Sequence, residues 1–151
     1  MKNLTTVVCM ALLTLTAMTV SAQKTPAEKP LLFAGLPSNI QCTAAQLSNL
    51  FAVSKGQNIN VTLADNFNIA GPVKGKLSTY HNLQTVIIQL PAFNNTLFSL
   101  SRQTDENNQI SYVGRIINPS YADGFELKQM GNGNYEFIKI NLANILETCH
   151  Q

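Results

Sequence analysis

Charge is scarce in this chain. Aspartate, glutamate, lysine and arginine make up 12% of its residues, 10 basic against 8 acidic, for a formal net charge of +2. A balance so near neutral excludes the basic footprint of a nucleic-acid or polyanion surface, so no nucleic-acid partner is expected. Histidine occurs only at positions 81 and 150, and arginine only at 102 and 115. The side chains that carry most enzyme chemistry are thinly spread. A nucleophile needs a base and an orienting group within hydrogen-bond reach. His81 falls in an expected turn, His150 is the penultimate residue, and there is no Gly-x-Ser-x-Gly elbow. Cys149 and His150 are adjacent in sequence, so their side chains do not face each other.

Two distant histidines offer no zinc spacing. Residues 105–108 lack the alternating ligands and glycine of a calcium loop and read as a solvated hairpin loop. No phosphate-cradling glycine loop precedes a helix. No metal, no cofactor and no catalytic residues are expected, and the chain reads as a non-enzyme. Also missing are any βαβ alternation, which excludes a parallel sheet, and any internal repeat longer than a hairpin.

What is present begins with a targeting segment. Lys2 supplies a positive start, residues 7–20 are apolar, and Val20-Ser21-Ala22 ends in small residues suited to cleavage before Gln23. The run is shorter than the ~20 residues that span a bilayer. Residues 1–22 therefore read as a cleavable signal peptide of a periplasmic or secreted protein, without stable membrane insertion after cleavage. Its removal takes Lys2 and Cys9, leaving Cys42 and Cys149 near the two ends of the folded part. In an oxidising compartment such a pair suits a disulfide, with a free thiol pair or an intermolecular bridge as the alternatives. An intramolecular bond would close a long loop, worth up to ~4.7 kcal/mol in the chain-entropy model.

Residues 23–36 form an expected flexible leader, polar and proline-containing to Pro30, with an apolar end at 31–36 laid over the domain as an extended cover. Residues 37–151 form the single domain, of a size that carries its own core. Thr43 and Gln46 fit a capping box. Leu47, Leu50 and Phe51 follow at helical spacing, which predicts a helix of about three turns stopped by Lys55-Gly56. From Asn58 the period changes to two. Ile59, Val61 and Leu63 alternate with polar residues, and a second strand from Phe67 to Leu77 must bend or break at Gly71-Pro72. Residues 84–90 are the most β-prone segment, expected inside the sheet and ended by Pro91.

Residues 97–102 and 110–117 form a further pair. With Ser101 opposite Ser111, Leu100 faces Tyr112 and Phe98 lies over Gly114. Ser99 and Ser101 read as a polar sheet face. At Asn132-Gly133 a two-residue type I′ turn is expected, pairing Gly131 with Asn134. Leu127 then faces Ile138 and Phe125 faces Ile140 on the apolar side, while Lys128 meets Phe137 and Glu126 meets Lys139 on the other. Asn141 would cap a short terminal helix with Leu142, Ile145, Leu146 and Cys149 on one stripe. The sum is a mainly β (α+β) fold, an antiparallel meander of about six or seven strands curling into a small barrel or half-barrel, with one N-terminal and one C-terminal helix.

Two features point weakly to binding. Arg102 and Arg115 lie on adjacent strands, where an arginine fork suits an anionic group. Tyr112 and Phe137 belong to an aromatic set not all of which fits inside, and Phe137 is expected on the outer side. Asn60 and Asn94 head sequons that matter only in a glycosylating host. The leading expectation is an extracytoplasmic, non-catalytic binding module for a protein, glycan or small apolar ligand. The alternatives are an inhibitor or chaperone-like accessory of a secreted enzyme, with residues 31–36 entering a cleft, and an enzyme whose site joins Arg115, His81 and a carboxylate.

Overall fold

The computed structural model describes residues 28–64 and 67–142. The chain forms β1 (Asn39–Thr43), helix α1 (Ala44–Asn49), then β2 (Asn58–Thr62), β3 (Asn68–Tyr80), β4 (Leu83–Leu90), β5 (Thr96–Thr104), β6 (Ile110–Ile117), β7 (Asp123–Gln129) and β8 (Asn134–Asn141). From β2 to β8 each strand pairs with the next, and β1 adds to the far side of β8. All pairs are antiparallel. The product is a curled half-barrel whose two edges are β1 and β2. Its eight strands exceed the expected six or seven because β1, with only Ile40 and Cys42 buried, is a period-two stretch too short to stand out ahead of the helix.

The capping box forms as read. Gln46 N donates to Thr43 Oγ1 at 3.2 Å, and Thr43 N donates to Gln46 Oε1 at 2.9 Å. The helix is six residues long rather than three turns. The N–H groups of Leu50 and Phe51 reach back three residues, to Leu47 O and Ser48 O, and this tighter turn still delivers all three apolar side chains to the core.

β3 runs through Gly71-Pro72 without a break. Its first half pairs with β2 and its second half with β4, so the proline sits where the strand changes partner and no ladder bond is lost. Gly71 has φ 152°, and a Cβ there would collide with the Gln89 carbonyl of β4. In the β5–β6 hairpin Ser101 pairs with Val113, not Ser111, a slip of two that keeps every side chain on its expected face. Gly114 therefore faces Leu100 rather than Phe98, which is opposite Ile116, and a Cβ at Gly114 would come within 3.1 Å of both the Leu100 side chain and the Phe98 ring.

The β7–β8 register differs from the expected one by a single residue. Met130 N donates to Asn134 O, and Asn134 N to Gly131 O, so the loop is Gly131–Gly133, with Gly133 alone at positive φ (74°). This is a three-residue turn closed by a glycine bulge rather than a type I′ turn. Leu127 pairs with Phe137 and Glu126 with Ile138, which turns all of β8 over. Phe137, expected outside, is 0% exposed. The gain is area: Tyr135 and Phe137 go inward in place of Ile138 and Ile140, and the larger aromatic burial decides the register.

The concave side is filled, not hollow. Phe33 packs on Phe125 (ring centroids 5.1 Å apart), Phe67 on Phe93 (5.5 Å), Phe98 on Phe137 (5.5 Å) and Tyr112 on Tyr135 (5.5 Å). Residues 31–36 close one end by a turn rather than an extended run, Leu36 N donating to Phe33 O. Leu32 N and Phe33 N donate to the buried Asp123 carboxylate at 2.7 and 2.9 Å, and Lys139 Nζ donates to Phe33 O and Leu36 O. The expected signal peptide, terminal helix and Cys149 lie outside the described residues.

Candidate functional site: a cleft at the open edge

The two edges of the half-barrel determine what it offers a ligand. Lys139 N donates to Ser38 O at 2.8 Å, which makes Ser38–Lys139 a hydrogen-bonded pair of the β1–β8 ladder. By alternation Ile40 and Cys42 also bond to β8, while the backbone groups of Asn39, Gln41 and Thr43 point away along the edge. On the other edge Val73 N donates to Gln57 O and Leu63 N to Phe67 O, which leaves Asn58, Asn60 and Thr62 pointing outward. Gln46 joins the two edges. Its Oε1 accepts from Thr43 N at 2.9 Å, and its Nε2 donates to Thr62 O at 3.1 Å.

Beside this bridge lies a cleft of about 550 Å3, within the range of small-ligand sites. β1 contributes Gln41, Cys42 and Thr43, and the segment just after β2 contributes Leu63 and Ala64. The β7–β8 hairpin supplies Met130, Tyr135 and Glu136. Burial pushes the Cys42 thiol up to about 12, so it lines the floor as a neutral group. Burial also raises the Tyr135 phenol, whose oxygen accepts the Tyr112 N–H at 3.3 Å. Glu136, directly across the ladder from Gln41, is the one carboxylate on the wall and has no ionic partner among the described residues. Its other cross-strand neighbour, Lys128, bonds instead to Glu126.

The four residues expected to bind a ligand are not brought together. Arg102 and Tyr112 are ladder partners on the inner side at one end of the sheet. The Arg102 guanidinium lies 5.0 Å from the Phe51 ring centroid and donates to Gln84 Oε1 at 2.6 Å. Tyr112 and Phe137 are core residues. Arg115 is on the opposite, convex face, where its Nη2 meets Glu126 Oε1 at 2.8 Å. The β5–β6 register sets Arg115 opposite Ser99, and alternation along β5 puts Ser99 and Arg102 on opposite faces, so the two arginines cannot share a ligand. His81 occupies the exposed turn ahead of β4, whereas Arg115 is level with Ile87 two strands across. Cys42, expected in a disulfide with Cys149, is buried and makes none among the described residues.

Sequence reading missed Gln41, Gln46 in its bridging role, and Glu136. The alternation of Asn39-Ile-Gln-Cys-Thr ahead of an N-cap was the available signal for the first. Among the described residues no group of His, Cys, Asp or Glu is placed to hold a metal ion, and no helix is long and apolar enough to cross a membrane. No protein-family model matches the chain, and neither do curated proteins or solved structures.

Proposed function

We propose that this chain is an extracytoplasmic, non-catalytic binding module whose partner is a protein. The observation that carries the reading is the filled concave side. Aromatic side chains occupy the space in which a hollow barrel would carry a small apolar ligand, so the edges and faces of the sheet are left to do the binding. The convex face supports it: Leu77, Leu97 and Val113 are about half exposed or more (51%, 49% and 62%), interleaved with Thr85, Ser99 and Ser101, while Arg115 beside them is paired with Glu126. The alternative of an accessory that inserts residues 31–36 into an enzyme draws less support, because that segment is held on its own domain by Asp123 and Lys139.

Native mass spectrometry of the processed protein, isolated from its producing cells without reduction and with and without chemical cross-linking, tests the proposal. A bare polypeptide mass with a discrete protein-sized cross-linked partner is the expected result. A small molecule retained on the polypeptide would overturn it in favour of a ligand carrier.

A further inference from the structure

We infer that the free edge of β1, with the adjoining cleft, takes up an extended peptide segment carrying a basic side chain, which adds to the sheet as a ninth strand. The inference rests on the binding-module reading and names its site and the chemistry of the partner.

Three observations meet at this edge. First, the outward N–H and C=O groups of Asn39 and Gln41 have no partner among the described residues, and both residues are exposed. An incoming strand satisfies such groups with main-chain hydrogen bonds, which supply affinity without regard to sequence. Natural edges are usually guarded by lysine, proline or a bulge. β1 reads Asn-Ile-Gln-Cys-Thr and carries none of these along its five residues. Second, a cleft adjoins the same edge, with the neutral Cys42 thiol and the apolar Leu63 and Met130 on its walls. Side chains on alternate positions of an added strand point to the same side, so one of them would enter this cleft.

Third, the charge at the edge is specific. Arg115 and Lys128 both bond to Glu126, which leaves Glu136 without a cation. Glu136 sits opposite Gln41 and lines the cleft. A strand added to β1 would run about 10 Å from β8, two strand spacings away. That separation suits a lysine or arginine meeting a glutamate across the intervening strand. A second copy of this chain fits less well, because β1 and β2, the edges it would offer, contain no basic residue.

The test selects short linear peptides from a displayed library against the wild-type protein and maps each bound peptide by amide hydrogen exchange. Free protein should show fast exchange at Asn39 and Gln41 beside slow exchange at Ile40 and Cys42. Enriched peptides should be extended, carry Lys or Arg, and protect Asn39 and Gln41. Gln41→Pro deletes an outward N–H while leaving the β8 ladder intact, and should abolish that protection. Should Gln41→Pro not fold, Glu136→Lys serves instead: it should weaken the basic peptides about tenfold and select acidic ones. Protection of Asn39 and Gln41 already present in the free protein would mean that the chain itself covers the edge, and would overturn the inference. So would enrichment of peptides that protect the convex face or the Arg102 end, although the binding-module reading would survive that result. A library that yields no binder sinks the inference as well, and the cross-linking experiment decides separately whether the module reading stands.

Discussion

Gln46 and Thr62 are joined across the mouth of the half-barrel. The Gln46 amide donates to the Thr62 carbonyl at 3.1 Å while its oxygen accepts the Thr43 N–H at 2.9 Å. One side chain thus stands where a peptide group of a closing strand would be. It supplies an acceptor to one edge and a donor to the other, and it also completes the helix cap.

These two roles are separable. Gln46→Glu keeps the acceptor for Thr43 N but replaces the donor to Thr62 O with a carboxylate oxygen. Gln46→Ala removes both. Urea denaturation should show Gln46→Ala costing about 1–2 kcal/mol, the cap being worth roughly 1. Gln46→Glu should retain helix capping, yet raise amide exchange at the end of β2. Equal exchange in Gln46→Glu and wild type would rule out the bridge.

Asp123 is a carboxylate at 3% exposure that accepts two backbone N–H groups from residues 32 and 33. Hydrogen bonds to charged groups are worth about 1.5–3 kcal/mol each. Asp123→Asn turns one acceptor into a donor facing an N–H, so a loss of about 2–3 kcal/mol is expected, together with faster proteolysis within residues 28–38. An unchanged cleavage pattern there would show that Phe33 packing and the Lys139 hydrogen bonds hold the segment without Asp123.

Cys42 has a folded pKa near 12, against an ordinary value of 9.0, because burial disfavours the thiolate. A raised pKa makes the neutral form the stabilised one. Its contribution is complete below pH 9 and declines as the pH rises from 9 toward 12. In reduced protein at pH 8, iodoacetamide should modify Cys42 far more slowly than in urea-unfolded chain. Comparable rates would place the thiol at the surface. The same chain left unreduced also tests the proposed Cys42–Cys149 bond, which makes the mass two hydrogens lighter.

Glu126 is held below the ordinary carboxylate range chiefly by the hydrogen bond from Lys128, then by that from Arg115. A depressed pKa gives stability that is present above the ordinary value of 4.5 and is lost as the pH falls through the lower folded value. Glu126→Gln should therefore lower stability modestly at neutral pH and leave the strongly acid region unchanged, which flattens the acid limb of the stability curve, an effect that weakens in high salt. Identical acid limbs for the variant and wild type would mean that the pair does not contribute. The same substitution frees Lys128 to turn toward Glu136.

The elements that sequence reading placed well are those specified over a few residues. The capping box at Thr43 and Gln46, the strand at 110–117 and the antiparallel order of neighbouring hairpins all depend on local spacing. The Asn132-Gly133 turn shows where local reading stops. The dipeptide suits either a two-residue or a three-residue loop, and the difference of one residue decides whether Phe137 or Ile138 faces inward. Within the hairpin both registers have an apolar face. Only packing against Phe98 from β5 and Phe67 from just before β3 favours the aromatic one. The candidate site was less legible still, because Gln41, Glu136 and Leu63 come together only when β1 pairs with β8 from the far end of the chain.

By itself, then, the sequence determined a low-charge chain of short alternating strands, a capped helix ahead of them and an antiparallel meander. Each of these follows from side-chain periodicity and backbone preferences that act over a single turn or hairpin. Tertiary structure alone decided the β7–β8 register, the pairing of β1 with β8, and the cleft at the open edge. Those outcomes depend on which large side chains share one finite core, and that competition among distant segments leaves no trace in local spacing.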